Sequence, residues 1–193
     1  MPKSFISEDD IEKSILKKIE DEHLEYDAIL TLDPSPDKMD VLPDGTGRSD
    51  KKECVLPEVL WTSLKKLNPN VKDEYLKVVF NDLKADYTDT DINQTNYDFY
   101  KKIRDGIKFE YTNDKGITDF SFIKLIDFDN PKNNNFTAVT QMWIKGRYQW
   151  RRPDVLIFVN GMPLVFIELK NSTRKVEEGY SKFVCSKSNL RII

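Results

Sequence analysis

Residues 151–171 read RRPDVLIFVNGMPLVFIELKN, two short apolar runs split by Asn160-Gly161. Asn-Gly between apolar runs is the strongest short-range hairpin signal, because both residues accept the positive φ of a tight turn. Val155, Ile157 and Val159 on one parity, with Leu156 and Phe158 on the other, make the first strand apolar on both sides. Leu164 and Phe166, with Val165, Ile167 and Leu169, do the same for the second. Strands of this kind are buried on both faces, so helices must cover the sheet. Charges then stand at the strand ends: Asp154 opens the first, and Glu168 and Lys170 close the second. A carboxylate pressed towards a core costs several kcal/mol unless it is paired or binds a metal.

The rest of the chain supplies those helices. Ser7 to Glu22 reads as a helix, with Ser7 and Asp10 spaced for a capping box. Apolar spacing predicts three more, over Pro57 to Leu67, Lys72 to Ala85 and Thr95 to Arg104. Between the first two, residues 33–52 (DPSPDKMDVLPDGTGRSDKK) read as a solvated, mobile loop. After Gly106 the texture turns strand-like: Ile107 to Tyr111, a turn at NDKG, Thr118 to Phe128, a polar PKNNN loop, then Phe136 to Ile144. Helices first and a mostly antiparallel sheet afterwards give an α/β (α+β) class. At 193 residues the chain suits a single domain, 1–193, with an atypical tail at 183–193.

Several classes of function are excluded. The longest apolar stretch, Met162 to Ile167, is far short of the ~20 residues of a membrane span. The opening MPKSFISEDDIEK turns acidic at once and lacks the apolar region of a secretory signal. Cys54 and Cys185 stand far apart, and His23 is the single histidine, so zinc clusters and Ser-His-Asp chemistry are disfavoured. Free thiols point to a reducing, cytoplasmic setting. Residues 1–100 carry 13 Lys/Arg against 23 Asp/Glu, and residues 101–193 carry 17 against 10. A polyanion would therefore meet the second half, unless folding interleaves the charges.

Asp154 and Glu168 at one end of the hairpin would offer the hard oxygen donors that suit Mg²⁺ or Mn²⁺. Lys170 lies two residues beyond Glu168 and shares its face on a strand. There it would orient or deprotonate a metal-bound water and offset charge on an attacked phosphate. Register decides whether this is possible. A strict two-residue turn at Asn160-Gly161 places Asp154 opposite Ile167, on the face away from Glu168. The chemistry requires a three-residue loop, Val159-Asn160-Gly161, or a bulge or bend near Asp154. The alternative is an ordinary strand end whose charges face water.

Two further groups stand out. With Ile11 set at 0° on a helical wheel, Ile15, Ile19 and Leu16 fall at about 40°, 80° and 140°, and Glu12 at about 100°. An acid inside an apolar arc is informative, although Glu12 could equally reach out to solvent or cap a neighbour. Lys145, Arg147, Arg151 and Arg152 alternate with Trp143, Tyr148 and Trp150. Basic plus aromatic character suits a nucleic-acid backbone, and it also describes a charged loop over core aromatics.

The stretch RRPDVLIFVNGMPLVFIELKN resembles the PD-(D/E)xK nuclease motif. More narrowly, it resembles the amino-terminal nuclease region of the restriction subunit of type I restriction-modification enzymes, with its RPD strand, NGxPL turn and VxIELKN strand. The likeness is specific over about twenty residues and looser around VLPEVLWTSLKKLNP. It implies a restriction-endonuclease-like core, a mixed central sheet flanked by helices. It implies Asp154, Glu168 and Lys170 as catalytic positions, with Glu12 as the first-helix acid near the metal. It further implies Mg²⁺-dependent (or Mn²⁺-dependent) hydrolysis of double-stranded DNA, and specificity and methylation subunits as partners. Nothing in these residues resembles GxxxxGK[ST], so an ATP-driven motor does not reside in them. VEEGYSK supplies Tyr180 of the family's later helix but no following Gln. Two other readings therefore stand beside the first: a truncated, non-catalytic remnant that binds DNA or partner subunits, and another nuclease of the same superfamily.

Overall fold

The computed structural model describes residues 7–20, 26–85, 91–112, 115–146 and 148–169. Lys170, Arg147, His23 and the tail at 183–193 lie outside them.

Helix α1 (Glu8–Ile19) starts as its sequence predicts. The Ser7 hydroxyl accepts the Asp10 N–H at 3.1 Å, and the Asp10 carboxylate accepts the Ser7 N–H at 3.1 Å. The carboxyl of Asp10 is held below its ordinary value by the hydrogen bonds from Ser7. Helices α2 (Pro57–Leu67) and α3 (Asp73–Lys84) occupy the expected spans. Helix α4 runs from Ile92 to Asp105, one turn earlier than its apolar spacing suggests. The reason is Asp91, whose side chain accepts the Asn93 and Gln94 N–H groups and fixes the start there.

A four-stranded sheet carries β1 (Ala28–Thr31), β4 (Phe136–Thr140), β7 (Val155–Val159) and β8 (Met162–Ile167) in the order β1-β4-β7-β8. β4–β7 and β7–β8 are antiparallel, while β1 pairs parallel with β4. Among the described residues four of the five strand pairings are antiparallel, as expected, and the parallel β1–β4 pair makes the central sheet mixed; β1 is not among the elements expected from sequence. Two small ribbons complete the set, β2 (Ile107–Thr112) with β3 (Thr118–Ile123), and β5 (Ile144–Lys145) with β6 (Trp150–Arg151). The expected strands 118–128 and 136–144 therefore end early, at Ile123 and at Thr140.

The hairpin feeds two buried clusters. Met162 packs with Leu60, Leu64, Leu76, Val79 and Phe99 from α2, α3 and α4. Leu156 and Phe158 pack with Leu56, Val139, Met142 and Ile144. Both faces of β7 are filled, as its sequence requires: Val155, Leu156 and Phe158 are fully buried. β8 lies at the sheet edge, and Val165 is 43% exposed. Its two-sided apolar pattern is only partly covered among the described residues.

The hairpin turn is itself buried. Asn160 and Gly161 both have positive φ, 53° and 78°. Asn160 donates to the Leu125 carbonyl and the Asn134 side chain, both at 2.8 Å, and accepts the Asn135 N–H. The Gly161 carbonyl accepts the Leu56 N–H at 2.8 Å. A Cβ on Gly161 would sit 2.6 Å from the Leu60 nitrogen and 2.7 Å from the Leu56 oxygen. The turn is a clamp on the start of α2.

The 33–52 segment is largely loop with many exposed residues, but two charges in its second half are buried. Arg48 and Lys51 are 4% and 3% exposed. Both donate to Asp44, at 2.6 and 2.8 Å, and Thr46 also donates to it. The Arg48 guanidinium further bonds the Glu53 and Trp143 carbonyls, and the Lys51 carbonyl accepts the Lys145 N–H. A run of charges that reads as loop is thus a buried polar node joining residues 44–53 to β5. Among the described residues, no helix is long and apolar enough to cross a membrane.

Candidate functional site

The turn at Asn160-Gly161 is the strict two-residue kind: Val159 pairs with Met162. The register changes one step later. Phe158 faces Pro163, but Ile157 faces Val165, so Leu164 is an extra residue, a β-bulge. Pro163 has no N–H to give a ladder and is at home in such a break. Beyond the bulge, Leu156 faces Phe166 and Val155 faces Ile167. Continuing that register one step sets Asp154 opposite Glu168, on the face of Leu156 and Phe158. The three-residue loop does not form; the bulge does its work.

Asp154 is half-buried at the start of β7. Its Oδ2 accepts the Leu169 N–H at 2.6 Å, a short charge-assisted bond that ties the two strand ends together. The Asp154 carbonyl accepts the Gln141 N–H at 3.0 Å. Gln141 in turn donates from Nε2 to Glu12 Oε2 at 2.7 Å. The first helix therefore reaches the Asp154 end of the sheet through Gln141. Glu12 does not turn out to solvent; it is partly buried. Gln141 was missed by sequence reasoning, since a lone Gln after a strand carries no periodic or spacing signal.

Glu168, just past β8, lines a cleft of about 400 Å³ with Trp143, Trp150, Arg151, Arg152 and Phe166. The Arg152 guanidinium lies 5.1 Å from the Trp143 ring and donates to the Pro34 carbonyl at 2.6 Å. Lys145 lies 5.4 Å from the Trp150 ring. Arg151 and Arg152 thus line this cleft with Glu168, and Lys145 lies against the ring of Trp150 in its wall. Behind this wall stands Asp44. Burial pushes its carboxyl up, but Lys51, Thr46 and Arg48 outweigh that and hold it well below its ordinary value.

Asp154 and Glu168 are hard oxygen donors, the chemistry that Mg²⁺ or Mn²⁺ takes. Among the described residues no group of three His, Cys, Asp or Glu side chains could enclose a metal. A divalent ion held by two carboxylates keeps several waters, and Mg²⁺ sites are ordinarily of that kind.

A sequence model of the family described as the type I restriction enzyme R protein N terminus matches residues 5–190. The chain belongs to this family. It is 36% identical over 174 residues to the "Type I restriction enzyme HindI endonuclease subunit" of Haemophilus influenzae, covering 89% of this chain and 16% of that protein. It is 27% identical over 135 residues to the "Putative type I restriction enzyme MjaIXP endonuclease subunit" of Methanocaldococcus jannaschii, covering 68% of this chain and 13% of that protein. The chain thus spans about one sixth or less of the length of these relatives. As an R-protein N-terminal domain it has a mixed sheet and flanking helices, consistent with a restriction-endonuclease-like fold.

Proposed function

We propose that this R-protein N-terminal domain is a metal-dependent nuclease that hydrolyses phosphodiesters of double-stranded DNA. One observation carries the reading: the bulge at Leu164 reverses the register that would separate Asp154 from Glu168. Without it the two carboxylates belong to opposite faces of the hairpin.

The residues have distinct roles in this reading. Asp154 and Glu168 would hold Mg²⁺ or Mn²⁺, and Glu12 would reinforce the negative charge from α1. A divalent ion, when bound, would supply Lewis-acid activation of water and charge neutralisation at the phosphate. Lys170, two residues beyond Glu168, would orient the attacking water or face the phosphate oxygens. Lys145, Arg147, Arg151 and Arg152 position the DNA backbone without reading bases. The relatives are named endonuclease subunits, which supports the reaction class. Target choice and methylation would belong to partner subunits.

The test is nicking of supercoiled plasmid by the purified chain in Mg²⁺ or Mn²⁺. Asp154→Ala, Glu168→Ala and Lys170→Ala should each lower the rate at least ~100-fold. Cleavage that survives Glu168→Ala would put the active site elsewhere. A folded chain that binds plasmid but never nicks it would favour a non-catalytic DNA-binding domain.

A further inference from the structure

The proposed metal site uses the hairpin carboxylates with Glu12 of α1 adding negative charge, but nothing in that scheme employs the residue between them. Gln141 follows the last residue of β4 and has φ of 55°, a left-handed conformation that non-glycine residues seldom adopt. Strain of this kind persists where surrounding contacts over-determine it, and it gathers at functional sites. The contacts here are specific. The backbone N–H extends the β4–β7 ladder onto the Asp154 carbonyl at 3.0 Å. The side-chain Nε2 donates to Glu12 Oε2 at 2.7 Å.

That second bond fixes the amide orientation. A carboxylate accepts only, so the nitrogen must face Glu12 and the oxygen must face away from it. The remaining atom, Gln141 Oε1, is buried and has no hydrogen-bond partner among the described residues. A buried acceptor left unpaired is costly, and an unpaired group in a folded protein calls for a missing water or ion. This one belongs to a side chain that touches Glu12 and a backbone that touches Asp154.

We infer that Gln141 is a positioning residue of the metal site: Nε2 holds Glu12 in place, and Oε1 accepts a hydrogen bond from a water ordered by a divalent cation. The inference rests on the nuclease reading and deepens it. It makes the αL turn after β4 the joint through which α1 is registered against β7. It also explains why a Gln, rather than an acid, stands beside Glu12. A second carboxylate there would repel Glu12, whereas the amide donates to it and still presents an oxygen.

The test is Mn²⁺ binding to the full chain, followed by calorimetry and by electron paramagnetic resonance, with no DNA present. Gln141→Met keeps the length and loses both polar atoms. Gln141→Asn tolerates positive φ and is too short to reach Glu12. Both should weaken Mn²⁺ about 10–100-fold, as loss of an outer-shell partner does. The metal-free thermal midpoint of Gln141→Asn should stay close to wild type. If Gln141→Met does not fold, Gln141→Asn decides the matter. Glu12→Gln should weaken Mn²⁺ as well, and Glu12→Gln with Gln141→Asn should bind no worse than the weaker single variant, because the two act as a unit.

Wild-type affinity in Gln141→Asn, or additive losses in the double variant, would overturn the inference while leaving the nuclease reading intact. Mn²⁺ affinity unchanged by Asp154→Asn would sink the nuclease reading, and this inference with it. Nicking that depends on Asp154 alongside wild-type Mn²⁺ affinity in Gln141→Met would separate the two cases again.

Discussion

At the scale of single residues, the tightest constraint sits in the hairpin turn rather than in the carboxylates. Asn160 is 1% exposed and spends its side chain on Leu125, Asn134 and Asn135. Gly161 combines φ of 78° with backbone atoms of Leu56 and Leu60 under 3 Å from where a Cβ would stand. Gly161→Ala meets both penalties at once. The left-handed backbone costs an L-residue about 1–2 kcal/mol, and the clash falls on α2 backbone, which yields little. The expected loss is about 2–5 kcal/mol, or a melting midpoint lower by roughly 5–15 °C. Thermal denaturation followed by circular dichroism measures it. A change under about 2 °C would mean that the turn does not clamp α2 as described. The Asn-Gly pair was legible as a turn from sequence, because the φ requirement is local. Its burial was not, because the atoms that forbid a Cβ belong to residues a hundred positions earlier.

At the scale of elements, what the sequence showed and what it hid divide along the same line, local against distant. The capping box of α1 and the spans of α2 and α3 follow from spacing within one turn or one stripe, and they form as read. Strand β1 is four residues, AILT, too short to display a period, and it exists through its parallel pairing with β4. The bulge at Leu164 is the element on which the site turns, and the residue itself is an ordinary apolar one. A signal was nonetheless present: Pro163 cannot donate to a ladder, so a proline within a strand marks an edge or a bulge. Undoing the shift it introduces tests what it does. Insertion of one valine between Val165 and Phe166 keeps Ile157 opposite Val165 but sets Asp154 opposite Ile167, and turns the Glu168 position to the other face. The lengthened chain should lose Mn²⁺ binding and nicking. If its tryptophan environment and far-ultraviolet spectrum stay native while both activities persist, the register is not what brings the carboxylates together.

At the scale of the whole molecule, charges that look like surface in the sequence have two different fates. Arg151 and Arg152 line the cleft beside Glu168, and Lys145 lies against the ring of Trp150 in its wall. Binding to short duplex DNA should therefore weaken steeply with salt, and Lys145→Ala should reduce the log–log slope by about 0.9. An unchanged slope would take Lys145 out of the DNA contact. Arg48 and Lys51 instead turn inwards to Asp44, whose side chain is 12% exposed. This node holds the Trp143 carbonyl and the Lys145 N–H, so it supports the cleft wall from behind. Its pH dependence has a definite sign. An unfolded Asp titrates near 3.9, whereas the folded Asp44 carboxyl is held well below that. Its stabilisation is therefore complete above about pH 4 and drains away as pH falls towards the folded value. Asp44→Asn should cost about 3 kcal/mol at pH 7, because two cations are left buried without their counter-charge. That corresponds to a melting midpoint lower by roughly 6–12 °C. Below about pH 4 wild type progressively loses the same interaction, so the gap between the two proteins should narrow. Paired melts at pH 7, 5, 4 and 3 read the difference directly. A gap that stays constant down to pH 3 would mean that Asp44 is not the ionised centre of the node. If the gap narrows, tryptophan fluorescence from the cleft should change over the same interval, since Trp143 hangs from Arg48.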